Sequence, residues 1–156
     1  MVVREDEVQV MSAGRGVYHS EYNNSDDECA NYLQIWVFPN VSDIKPRYGK
    51  ITLDKSKMEN QFHPFLSPER NNGNVWIHQD ACFYISDMHE NHENEYRVRK
   101  EGNGIYIFVI EGKLRIGDKE IQDKDGLGIW EVDKISIKAQ SNCRILLMDI
   151  PMQLET

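Results

Sequence analysis

GIYIFVIEGKLRIG, residues 104–117, decides the fold of this chain. Its first half is β-branched and aromatic, Glu111-Gly112 interrupts it, and KLRI follows, so the stretch reads as two strands around a turn. Both faces of IYIFVI are apolar, which makes it an inner strand, covered from two sides. Working outward, KEIQDKDGLGIWEV carries Asp125-Gly126, a strong hairpin or corner signal. ISIKA (135–139) and CRILLMDI (143–150) follow, and Pro151 stops the last run. Upstream, VWIHQDACFYIS (75–86) reads as a strand pair or one long bent strand. Roughly six short strands at 8–12-residue spacing are the signature of a sandwich or barrel. The sequence thus predicts an all-β protein with a complete small barrel or jelly roll over about 75–150.

Residues 39–74 are looser. Pro39, Pro46, Pro64 and Pro68, with NNGN at 71–74, suggest an extended connection holding one or two short strands around KITLD. Ahead of it only EVQVM (7–11) and YLQIWVF (32–38) read as strands, the first broken by Gly14 and Gly16. Two strands cannot bury a core alone. They must pack on the C-terminal barrel, on another copy of the chain, or on a separate protein.

Composition narrows the function classes. The 156 residues carry 18 basic and 26 acidic side chains, net −8, and no long basic run. A surface of that sign repels phosphate backbones and argues against direct nucleic-acid binding. No apolar run approaches the roughly 20 residues that span a bilayer, and MVVREDEVQV lacks the apolar centre of a signal peptide. Cys29, Cys82 and Cys143 are odd in number and form no CxxC pair, which suits a reducing cytoplasm better than a disulfide framework or zinc ribbon.

The chemistry-bearing stretch is GVYHSEYN (16–23). In a strand, His19 and Glu21 would share one face, and an imidazole with a carboxylate is half of a metal site. The remaining histidines supply no obvious other half. His63 lies in the Pro-flanked FHPF, His78 reads as a lone strand histidine, and HENHEN, with His89 and His92, reads as a solvated loop. Trp36, Trp76 and Trp130 fall in strand patterns and are expected in core or inter-barrel packing.

Taken together, VMSAGRGVYHSEYN, LQIWVFPN, KPRYGK, LSPE, IHQDACFY, DGLGIWE and LLMDIP resemble the pirin family in a consistent order from about residue 8 to 151. The resemblance implies a bicupin, two cupin-type jelly-roll barrels in one chain, with some bacterial members acting as quercetin 2,3-dioxygenases. It implies a metal, iron or a similar ion, held in the first barrel by a His-x-His pair plus the His and Glu of HSEYN. His19 and Glu21 match that last pair, whereas the His-x-His pair has no counterpart in this sequence. On this reading residues 1–45 are a remnant of the N-terminal barrel, 46–74 connect, and 75–156 form the C-terminal barrel. Two ligands hold an ion weakly. The expectation is therefore a non-catalytic binding or interaction module. The alternative is an iron-dependent quercetin 2,3-dioxygenase-like oxygenase acting on a small aromatic ligand. A separately encoded N-terminal half or a homo-oligomer would complete it.

Overall fold

The structure, a computed structural model, describes residues 2–70 and 74–153. The first three residues of the NNGN turn, 71–73, lie outside the described residues. Twelve strands fall into three sheets among the described residues. β1 (Glu7–Ser12) pairs antiparallel with β2 (Arg47–Thr52). Six strands form the large sheet in the order β10-β7-β12-β5-β3-β4. These are β3 (His63–Ser67), β4 (Val75–Trp76), β5 (Cys82–Met88), β7 (Asn103–Glu111), β10 (Gly126–Ile129) and β12 (Cys143–Pro151). The facing sheet has the order β6-β11-β8-β9, from β6 (Glu93–Arg97), β8 (Lys113–Ile116), β9 (Lys119–Gln122) and β11 (Lys134–Ala139). This two-sheet barrel is the expected cupin-type jelly roll.

The stretch 104–117 is a corner between sheets, since β7 and β8 do not pair with each other. Gly112 turns it with φ 93°, and a Cβ there would lie 2.3 Å from the Asn142 carbonyl oxygen. Only glycine fits. β7 is the inner strand its composition required, flanked by β10 and β12. Ile105, Ile107 and Val109 point between the sheets, where they meet Leu114, Ile137, Ile145 and Leu147. Phe108 and Ile110 point the other way, onto a second cluster of Val10, Met58, Phe65, Phe83, Leu146 and Met148. β12 alternates likewise, Ile145 and Leu147 inward, Leu146 and Met148 outward, which is why CRILLMDI reads as unbroken apolar sequence. β1 thus packs on the outside of the large sheet, one of the three placements open to it.

The structure corrects five readings. YLQIWVF is not a strand, nor is the HSEYN stretch; residues 13–46 form no strand. Strand composition needs a neighbour with free backbone groups, and none stands beside them among the described residues. β3 lies inside the expected connection, so the large sheet starts at His63. Pro64 disguised it, and the register shift between Pro64 and Leu66 is what lets a strand carry a residue without an N–H. β6 was hidden by its polar sequence ENEYR, where Tyr96 is the buried residue. Trp36 and Trp130 are exposed rather than in the core. Trp76 is half-buried, with the guanidinium carbons of Arg47 and Arg70 3.6 and 4.2 Å from its ring centre. No helix among the described residues is long and apolar enough to cross a membrane.

Candidate metal centre

Residues 13–46 leave β1 and return to β2 as an excursion pinned at both ends. Gly14 has φ 53°, and a Cβ there would lie 2.1 Å from the Ile44 carbonyl oxygen, so the outgoing and returning backbones touch. Further along, the Asn40 N–H donates to the His78 carbonyl at 2.8 Å, and Gln79 Nε2 donates to the Phe38 carbonyl at 2.8 Å. Between these anchors the backbone is organised by short-range polar bonds. Asn23 accepts from the Ser25 N–H at 3.1 Å and donates to the Glu28 carbonyl at 2.6 Å.

His19 and Glu21 lie on this excursion. Their nearest atoms, Nδ1 and Oε1, are 3.8 Å apart, and the side chains are 41% and 43% exposed. The structure does bring the two predicted groups together, without a direct hydrogen bond between them. Tyr18 and Tyr22 beside them project into solvent. No group of three His, Cys, Asp or Glu side chains able to hold a metal occurs among the described residues. Tight metal sites take three or four protein ligands. The two donors present do not fit a resident iron by themselves.

The other histidines are engaged elsewhere. His63 opens β3, and burial, with Lys57 nearby, holds its imidazole below the ordinary range. His78 packs its ring 4.8 Å from that of Trp76. His89 and His92 flank a tight turn at Asn91, where φ is 67° and the His92 N–H donates to the His89 carbonyl. His89 Nε2 sits 2.9 Å from Glu59, and His92 Nε2 sits 3.2 Å from Asn94.

One polar cluster escaped sequence reasoning. Asp149 on β12 is fully buried and accepts from the Tyr96 hydroxyl, the Arg99 N–H and Asn103 Nδ2, at 2.8, 2.8 and 2.6 Å. Its signal was a carboxylate inside the apolar run ILLMDI. Burial, reinforced by Tyr84 and Asp149, pushes the Tyr96 phenol up. Beside this network is a groove of about 240 Å³ lined in part by Glu69, Asp80, Cys82, Arg99 and Lys100. Arg99 pairs with Glu69 at 2.8 Å and Lys100 pairs with Asp80. Burial pushes the Cys82 thiol to about 11, so it is no nucleophile at neutral pH. The cluster braces the barrel and leaves no reactive group free.

Two family profiles match in tandem, "Pirin" over residues 1–37 and "Quercetinase C-terminal cupin domain" over residues 65–150. The chain belongs to the pirin family. Among its relatives, quercetin 2,3-dioxygenase of Escherichia coli K12 is 34% identical over 145 residues, covering 93% of this pirin chain and 61% of the relative. A pirin-like protein of Caulobacter vibrioides is 27% identical over 144 residues, covering 92% of this chain and 61% of its own length. The crystal structure of YhhW from Escherichia coli superposes with a TM-score of 0.90 at 32% identity, over 99% of this chain and 64% of that one. Bacterial pirin YhhW in complex with nickel(II) gives 0.86 at 33% identity, over 94% and 62%. The pirin chain spans about three fifths of the length of these relatives.

Proposed function

We propose that this pirin chain, taken alone, is a cupin binding module without oxygenase activity. In this reading His19 and Glu21 become metal ligands when donors from another polypeptide join them. The observation that carries it is the donor count: one imidazole and one carboxylate, both well exposed, with no third donor among the described residues. Two ligands give neither tight binding nor geometric selectivity. The exposed Leu33, Ile35, Trp36 and Phe38, on the same excursion, support a protein partner, either a second copy or a separately encoded cupin half.

A second reading keeps catalysis. The likeness to quercetin 2,3-dioxygenase and to a nickel-bound pirin supports a metal-dependent oxygenase assembled from this chain and its partner, acting on a flavonol-like aromatic. A divalent ion there would supply a Lewis-acid centre for a chelating substrate. This chain's residues would contribute ligands at His19 and Glu21. Native mass with elemental analysis separates the readings. The purified chain is expected to carry far less than one equivalent of iron or nickel and to leave a flavonol intact. A monomer with one equivalent of metal and flavonol cleavage would overturn the first reading. Stoichiometric metal only after co-expression with a His-x-His cupin half, lost in His19→Ala and Glu21→Ala, would establish the second.

A further inference from the structure

A groove of about 390 Å³ opens on the outer face of the four-stranded sheet, lined by Asn91, Lys113, Arg115, Lys138, Ala139 and Gln140. Its floor follows from strand alternation. Leu114 and Ile116 of β8 and Ile137 and Ala139 of β11 point into the core, so Arg115 and Lys138 face outward. The register sets these two cations directly opposite each other. Like charges facing across an antiparallel pair oppose pairing, and in a chain of net charge −8 such a juxtaposition stands out.

The adjacent carboxylates offset it only in part, because each is also engaged by other groups; Glu120 feels the Arg115 charge without bonding to it. Glu93, opposite Lys138 on the other side, accepts from the Ser136 hydroxyl. Glu120, opposite Arg115, is paired with Lys113 Nζ at 2.9 Å and accepts from Gln140 Nε2 at 2.7 Å. Among the described residues neither the Arg115 nor the Lys138 side chain makes a hydrogen bond or ion pair. The Gln140 contact fixes a second feature. A carboxylate only accepts, so the amide nitrogen must face Glu120 and Oε1 must face away. That oxygen is buried and has no hydrogen-bond partner among the described residues. A buried acceptor left unpaired is costly and calls for a donor.

We propose that this groove binds a small anion bearing a hydroxyl group, its charge held between Arg115 and Lys138 and its O–H donated to Gln140 Oε1. Phosphate monoesters and hydroxycarboxylates share that chemistry, and the guanidinium fork of Arg115 suits either oxyanion. The volume falls in the range of small-molecule sites. The site is independent of His19 and Glu21, and its occupant needs no metal.

Calorimetric titration of the full chain in phosphate-free buffer tests it, with glycerol 3-phosphate and malate as probes and sulfate, which carries no donor, as control. At least one hydroxylated anion should saturate a single site and bind roughly tenfold tighter than sulfate. Which one does identifies the oxyanion class. Arg115→Gln with Lys138→Gln should weaken binding by roughly tenfold or more. The melting temperature should change little, because the loss of a like-charge pair is offset by the loss of the attractions to Glu93 and Glu120. Gln140→Ala should lower the hydroxylated anion to the level of sulfate and leave sulfate unchanged. Absence of saturable binding by both probes, sulfate binding as tightly as they do, wild-type affinity in the double variant, or intact discrimination in Gln140→Ala would each overturn the assignment.

Discussion

YLQIWVF at 32–38 and IYIFVI at 105–110 are nearly interchangeable as sequence, and the structure treats them as opposites. Trp36 is 82% exposed, whereas Ile107 is 0% exposed. The second run has β10 and β12 on its flanks and a facing sheet beneath it. Among the described residues the first has two hydrogen-bond tethers, near Phe38 and Asn40, and Val37 alone of the run packs against the core. A strand is thus a property of a neighbourhood: β-branched and aromatic residues form one when ladder partners and a face to cover are supplied. The excursion 13–46 has apolar runs like those of a barrel wall but no ladder partners, which is why the candidate metal ligands sit outside any strand.

The sharpest way to break this contrast is to remove the buried acceptor of the barrel. Asp149→Ala leaves three donors without a partner and should cost about 4 kcal/mol in urea unfolding. Next, Leu147→Ala should cost about 3 kcal/mol. Trp36→Ala, removing a larger side chain, should stay within about 0.5 kcal/mol. Equal losses from those two substitutions would show that the excursion is packed after all.

A smaller effect concerns the bond between the two regions. Asp6, just ahead of β1, pairs with Lys55 at 2.6 Å and with Arg144 of β12 at 3.2 Å. The hydrogen bond from Lys55, with Arg144 adding, holds its carboxyl below the ordinary 3.8. The stability it contributes is therefore present above 3.8 and is lost as the pH falls through the lower folded value. Amide exchange in β1 and β2, corrected for intrinsic rates, should quicken in acid before that of β7 and β12, and Asp6→Asn should abolish the difference. The smallest effect is chemical. Cys29 is exposed, while burial pushes Cys82 and Cys143 to about 11. A thiol reagent at neutral pH should modify one cysteine promptly and the other two only on unfolding.

Much of the barrel was legible in sequence because its strands are apolar on one or both faces and end at Gly112, Gly126 or Pro151. What escaped was polar or contained proline: β6, which buries Tyr96, and β3, whose Pro64 sits at a bulge. For the candidate site, residue types and spacing identified His19 and Glu21 correctly as neighbours, 3.8 Å apart. The assumption that placed them on a strand failed, because pairing depends on residues far away in the chain. The Asp149 network and the Arg115–Lys138 juxtaposition were invisible for a related reason. Each is created by register between segments, and register is not written in either segment alone.

β12 lies at the middle of the large sheet, bonded along its length to β5 on one side and β7 on the other, and it comes last among the strands. Without residues 143–151 the remaining strands of the large sheet can pair only as two separate parts, β10-β7 and β5-β3-β4, with no shared centre. Ile107 and Val109 can meet Leu114 and Ile137 before then, but their contacts with Ile145 and Leu147, and those of Phe83 with Leu146 and Met148, wait for residues 143–151. Closure of the large sheet should therefore wait for β12. A nascent chain stalled short of that strand is the form most exposed to aggregation and most in need of a chaperone.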